Sequence, residues 1–108
     1  MSVFSAQGPA VTFTGATTAP TSVQPLSANG INCNTFRIVN ESITIACVIG
    51  WGATDALAKA NAAAGNSNCA VVPAGWLIDV SAPANSYFSG ITPSATAVIY
   101  VQSGLFQA

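Results

Sequence analysis

Charge is nearly absent from this chain. Five of its 108 residues are charged and none is histidine. The charged residues are Arg37, Glu41, Asp55, Lys59 and Asp79. They make up 5% of the sequence, whereas about 25% is usual for a soluble domain. Two basic side chains cannot neutralise a row of phosphates, so the composition argues against nucleic acid and against an anionic membrane surface as partners.

The formal net charge is only −1, and a net charge near zero promotes association between molecules. One interpretation is an ordinary globular protein that happens to carry little charge. The other, which we favour, is a protein whose surface is largely covered by neighbours in an assembly.

Groups that carry out catalysis are also missing. Without histidine, no base stands ready to activate a Ser, Thr or Cys nucleophile. The three carboxylates are spread along the chain and form no pair for glycoside hydrolysis. With neither histidine nor a CxxC motif, a zinc site is not expected. The sequence therefore predicts a non-enzymatic protein with no catalytic, cofactor-binding or metal-binding residues and no small-molecule substrate.

Long hydrophobic runs are absent too. No stretch reaches the 18 or more apolar residues that a membrane-spanning helix needs. The N-terminal sequence MSVFSAQGPAV has neither the basic start nor the apolar centre of a secretory signal. We therefore expect synthesis and folding in a cytoplasm.

The three cysteines do not form an evident disulfide framework. Cys47 shares the apolar phase of Ile45 and Ile49, which predicts a small buried hydrophobic residue. Cys33 and Cys69 lie in polar loops. A disulfide between them is one possibility, and free thiols, which a reducing compartment favours, are the other.

Most of the chain alternates between apolar and polar residues with the period of a β-strand. The most apolar stretch, residues 36–52, predicts two strands joined through a turn at 40–42. Glu41 is one possible cross-turn partner for Arg37; the alternative, which we favour, is that Arg37 is a solvated strand charge. In the second strand of this stretch, from Ile43 to Trp51, alternate side chains are expected to point to opposite faces of the sheet. Together the patterns predict strands at 10–14, 22–26, 36–39, 43–51, 70–72, 76–80, 87–91 and 95–101.

One segment has a helical pattern instead, at about residues 54–64. Thr54 is a suitable N-cap, and Asp55 and Lys59 are spaced i,i+4. Leu57 is the only large side chain in this Ala-rich helix, so we expect it to dock the helix on a sheet. The predicted fold is all-β: a single-domain antiparallel β-sandwich of about seven or eight short strands with one short helix. Residues 1–9 are predicted to form an N-terminal arm, 10–102 the sandwich and 103–108 a C-terminal tail.

Aromatic residues suggest one binding hypothesis. Trp51, Trp76, Tyr87 and Asn85 could form a platform on which a sugar stacks. The alternative, which we favour, is that both tryptophans continue the buried phases of their strands.

The order of motifs resembles that of small virion structural proteins of tailed bacteriophages, over about residues 35–104. The segments that carry the resemblance are RIVN (37–40), GWG (50–52), the Ala-rich helix, VPAG (72–75), YFSGIT (87–92) and ATAVIYV (95–101).

This resemblance implies a β-sandwich that coats or cements the phage head, located in the virion. Its expected partners are copies of itself and other virion proteins, chiefly the major capsid protein. We predict the assembly contacts at Val3, Phe4, Leu105 and Phe106. The alternatives are a component of the neck, tail or fibre base, or a glycan-binding β-sandwich module.

Overall fold

A computed structural model describes residues 3–28, 33–64 and 68–107 of the chain. It contains two antiparallel sheets and one helix. The strands are β1 (Val3–Ala6), β2 (Val11–Gly15), β3 (Thr35–Asn40), β4 (Cys47–Gly52), β5 (Cys69–Val72), β6 (Leu77–Ser81), β7 (Tyr87–Ile91) and β8 (Ala97–Gln107), and the helix is α1 (Asp55–Ala64). The predicted all-β sandwich with one short helix is confirmed.

The larger sheet is built around β8. Its order is β1-β8-β3-β6, with β2 also paired to β8. β1 and β2 follow one another along one edge of β8, as Phe4 pairs with Phe106 and Val11 with Val101. Residues 3–6 and 103–107, predicted to be an arm and a tail, are therefore paired strands of this sheet. Neither segment shows the alternation typical of a strand, and about 100 residues of chain separate them, so the sequence pattern did not predict this pairing.

The smaller sheet has the order β5-β4-β7. The segment after β2 runs along the outer edge of β7, where Val23 and Phe88 exchange two backbone hydrogen bonds of 2.9 and 2.8 Å. The strand predicted at 22–26 is reduced to this single bridge. Pro20 and Pro25 flank the bridge, and proline cannot donate a hydrogen bond to a strand ladder.

The two strands predicted within 36–52 are present as β3 and β4, but they do not pair with each other, because they belong to different sheets. The buried side chain of Asn40 holds the crossing between them. Its Nδ2 donates to the carbonyl oxygens of Ile45 and Val72 at 2.9 and 3.2 Å, and its Oδ1 accepts from the backbone N–H of Ser42 at 3.0 Å. These side-chain bonds compete with a regular ladder, so β4 begins only at Cys47.

The core between the sheets is aromatic and branched aliphatic. The ring centroids of Phe36 and Phe88 lie 4.9 Å apart, and those of Trp51 and Phe88 lie 6.0 Å apart. Fully buried aliphatic residues complete it: Ile38, Ile49, Val72, Ile99 and Val101.

Helix α1 packs on the outer face of the smaller sheet by close backbone approach. Its predicted N-cap is confirmed, since Thr54 Oγ1 accepts from the backbone N–H of Leu57 at 3.2 Å. A Cβ placed on Gly50 would lie 2.6 Å from Ala62 Cα and 2.7 Å from Ala58 O. Only glycine leaves room for the helix at this distance. Leu57, predicted to dock the helix, is instead half-exposed, because the alanines provide the contact.

Candidate interaction surfaces

The outer face of the larger sheet is open to solvent. Helix α1 covers the smaller sheet, whereas outward-facing residues in the middle of the larger sheet are exposed or partly exposed. By register, Val39 of β3 lies beside Tyr100 of β8 on one side and Leu77 of β6 on the other. This row is largely apolar, and Leu77 is 47% exposed.

The charges on this face neutralise each other. Arg37 donates from Nε to Asp79 Oδ1 at 2.8 Å and from a terminal nitrogen to Asp79 Oδ2 at 3.0 Å. This bidentate pair raises the pKa of Arg37 through its hydrogen bond, a geometry that favours arginine over lysine. The predicted cross-turn partner, Glu41, was wrong, because β6 rather than the turn after β3 lies next to Arg37.

One end of this face is rich in exposed apolar side chains. The turn before β6 meets the crossing after β3, where the backbone N–H of Gly75 donates to Ser42 O at 2.6 Å. Trp76 is 61% exposed and Ile43 is 86% exposed. We call Ile43, Trp76, Leu77 and Val98 the apolar end.

The two tryptophans therefore differ. Trp51 is 7% exposed, as its strand phase predicted. Trp76 is exposed because it closes a turn, in which its N–H donates to Pro73 O at 3.1 Å and Gly75 adopts a φ of +72°. The prediction that both tryptophans are buried is correct for Trp51 alone.

The four predicted contact residues meet at the opposite end of β8. In the β1–β8 ladder Phe4 pairs with Phe106, and Leu105 pairs with Ser5. The Phe4 ring lies over Gly104 and 4.4 Å below the Arg37 guanidinium, so Phe4 contributes to the fold itself. The side chains of Val3 and Phe106 lie outside the described part of the structure.

Cys33 and Cys47 are free thiols, so the possible Cys33–Cys69 disulfide is not formed in this structure. Cys33 and Cys47 are buried and Cys69 is partly exposed. Burial raises the pKa of the Cys47 thiol to about 11, which keeps it protonated at neutral pH.

A second surface is a groove of about 570 Å³ at the other end of the smaller sheet. It lies where β4 ends and β7 begins, beside α1 and the loop before β7. It brings together three of the four residues of the predicted sugar platform: Trp51, Tyr87 and Asn85. Trp76 is not among its lining residues.

Three further carboxamides in the groove were missed by the sequence reading: Gln24, Asn61 and Asn68. Asn61 Nδ2 donates to Trp51 O at 2.7 Å, and the Trp51 N–H donates to Asn68 O at 3.0 Å. Gln24 Nε2 donates to Asn85 O at 2.9 Å. The frequent asparagines in and after α1 were a sequence signal that could have pointed to Asn61 and Asn68. Gln24 had no such signal, because its partner, Asn85, lies 61 residues away.

Near the groove, Asp55 ties the N-terminus of α1 to the segment after β2. Its Oδ1 accepts from the hydroxyl and backbone N–H of Ser22 at 2.5 and 2.7 Å. Lys59 Nζ lies 3.3 Å from Asp55 Oδ2. The hydrogen bonds from Ser22, followed by the neighbouring Lys59, lower the pKa of Asp55.

Within the described ranges, no group of three or more His, Cys, Asp or Glu side chains could hold a metal ion. The same part of the chain has no helix long and apolar enough to cross a membrane.

The chain was compared with known proteins in three ways. No protein-family model matches it, and no match is found among curated proteins or solved structures.

Proposed function

We propose that this protein is a non-enzymatic structural protein of a virus particle, a decoration or cement protein on the head of a tailed bacteriophage. The observation that carries the proposal is the open outer face of the larger sheet with its apolar end. Exposed apolar clusters of this kind mark surfaces that other proteins cover. The resemblance of residues 35–104 to small phage virion proteins supports the same function.

In this proposal the apolar end docks on the capsid shell, with the major capsid protein as the partner. Burying Trp76 and Leu77 against the shell removes their apolar surface from water, which favours binding. Arg37 and Asp79 already pair within one molecule, so covering them leaves neither of these two charges unpaired. Many identical contacts on one particle then raise the overall avidity.

Neighbouring copies are the second proposed partner. Val3, Phe4, Leu105 and Phe106 lie on the β1–β8 ladder, at the far end of β8 from Val98. This placement lets the shell and a neighbouring copy contact different ends of one sheet.

The test uses two matched lysine substitutions of exposed apolar strand residues. Leu77→Lys places a charge at the apolar end, whereas Val71→Lys does so on the smaller sheet, where Val71 is 59% exposed. Each purified variant is mixed with particles produced without this protein, and bound protein is measured after co-sedimentation. We expect Leu77→Lys to weaken binding at least about tenfold and Val71→Lys to bind like wild type.

Equal binding by wild type and Leu77→Lys would refute docking through the apolar end. Absence of the protein from purified virions would refute the virion assignment altogether. Its copy number, from a quantitative protein gel, separates a head decoration with hundreds of copies from a neck or tail component with about a dozen.

A further inference from the structure

We infer that the groove between α1 and the loop before β7 is a binding site for a neutral saccharide. Its volume of about 570 Å³ falls within the range of about 300–1,000 Å³ for small-molecule sites. Four of its lining residues carry carboxamide side chains and come from four separate segments of the chain: Gln24, Asn61, Asn68 and Asn85.

The chemistry of the lining selects the ligand class. Among the described lining residues none is charged, which disfavours phosphates, sulfates and acidic sugars. A carboxamide offers both donors and an acceptor, and so matches a sugar hydroxyl, which both donates and accepts. Tyr87 and Leu57 add apolar surface, against which the C–H face of a sugar ring can pack.

The groove is held in shape before any ligand arrives. Asn61 donates from its side-chain amide to the main-chain oxygen of Trp51, and the main-chain oxygen of Asn68 accepts from the main-chain N–H of Trp51. Gln24 binds the main chain of Asn85, which has a left-handed φ of 66°. In the same loop, Ser86 Oγ donates to Pro83 O at 2.6 Å. A site that is already ordered loses less conformational entropy on binding.

The location of the groove is consistent with a role on a particle surface, and this one step rests on the proposed function. β4 starts beside the crossing that forms part of the apolar end and finishes at the groove. Its six residues separate the two sites by about 20 Å. A molecule that docks through the apolar end thus keeps the groove accessible to sugars of a cell surface.

The test measures saccharide binding by the isolated protein, so it does not depend on docking. Saturation-transfer NMR and calorimetry are run with neutral oligosaccharides of glucose, mannose, galactose and N-acetylglucosamine. Sialylated and uronate oligosaccharides serve as charged comparisons, and each titration is repeated with EDTA. We expect at least one neutral oligosaccharide to bind, the charged ones to bind more weakly, and EDTA to have no effect.

Two substitutions at Asn85 remove its carboxamide while tolerating its backbone conformation. Asn85→Gly suits a left-handed φ, and Asn85→Asp keeps the size of the side chain. Each should weaken saccharide binding about tenfold, because two neutral hydrogen bonds are lost. Trp76→Ala is the matched control, because it removes an exposed aromatic ring outside the groove, and its affinity should stay within about twofold of wild type.

Three results would overturn the inference. They are no binding of any neutral oligosaccharide at millimolar concentration, unchanged binding in both Asn85 variants, and loss of binding in Trp76→Ala. Binding that is lost only in the Asn85 variants supports the groove, even if the protein proves not to dock on particles.

Discussion

The sulfur of Cys47 is packed closely against Gly15 and Gly90. This packing predicts how much a substitution at Gly15 lowers the free energy of unfolding. A Cβ placed on Gly15 of β2 would lie 2.7 Å from Cys47 Sγ, and so would one placed on Gly90 of β7. The other neighbours of the Gly15 position are at 3.5 Å or more, which is ordinary contact. Gly15→Ala is thus opposed by one atom, the sulfur.

The size of the effect follows from this geometry. Ordinary contact begins at 3.4 Å, so the sulfur and the new methyl group must separate by about 0.7 Å within a packed core. Overpacking of this kind costs about 1–3 kcal/mol. The lower chain entropy of alanine in the unfolded state offsets about 0.4–1 kcal/mol of it. We expect Gly15→Ala to lower the free energy of unfolding by about 1–2 kcal/mol.

A double-mutant cycle isolates the sulfur as the cause. Cys47→Ala alone should cost about 1–2 kcal/mol, because it deletes one buried heavy atom and leaves a small cavity. In the double mutant the methyl group introduced by Gly15→Ala occupies part of that cavity, so its stability should be close to that of Cys47→Ala. The expected coupling energy is about 1–2 kcal/mol, which is typical of residues in contact. Urea unfolding followed by tryptophan fluorescence measures all four proteins.

Two other glycines serve as controls. Gly90→Ala should be only partly rescued by Cys47→Ala, since Ile49 Cδ1 and Phe13 Cε2 also lie 3.0 Å from its Cβ position. Gly50→Ala should not be rescued, because it meets the backbone of α1 instead. Two results would rule out the sulfur as the cause: a Gly15→Ala variant as stable as wild type, or an unchanged cost of Gly15→Ala in the Cys47→Ala background.

Three further measurements check other parts of the structure. Phe4→Ala should lower the free energy of unfolding by about 1–3 kcal/mol in urea, because the ring packs on β8 and on a guanidinium; an unchanged midpoint would show that β1 is not docked. At pH 7.5, iodoacetamide should label Cys69 in the native protein and Cys47 only after unfolding. The reason is that the Cys47 thiol is buried and its pKa of about 11 disfavours the thiolate. Rapid labelling of Cys47 in the native protein would contradict its burial. Because the pKa of Asp55 is lowered on folding, its stabilising effect is present above about pH 4 and is lost as the pH falls through the folded value. Ser22→Ala should therefore raise that pKa in an NMR titration and destabilise the protein at pH 7 more than at pH 2, and equal effects at both pH values would count against the hydrogen bond.

Local patterns predicted the elements of this fold well. Alternation located β2, β7 and most of β8, and Thr54 marked the start of α1. These features depend on residues that are close in sequence, so a single chain reveals them. The partners of each strand depend on residues far apart, and there the predictions failed. Arg37 finds Asp79 from 42 positions away.

The residues of the candidate site were likewise predicted only in part. The chemistry of Trp51, Tyr87 and Asn85 indicated a common platform, and the structure does place these residues around one groove. Trp76 does not line the groove, and its alternation with Ile78 wrongly predicted a buried strand residue. The turn at Gly75 removes Trp76 from the strand, and a sequence pattern of period two does not register that change of direction.

The central position of β8 determines the order in which this protein can fold. Phe4 pairs with Phe106 across about 100 residues of intervening chain, whereas β4, β5, β6 and β7 find most of their partners within residues 35–91. During synthesis the smaller sheet and the β3–β6 ladder can form first, while β1 and β2 wait for β8 to emerge. Non-local pairing of this kind slows folding and leaves strand edges exposed to other chains. The chain is therefore most vulnerable to aggregation in the interval before β8 joins the sheet.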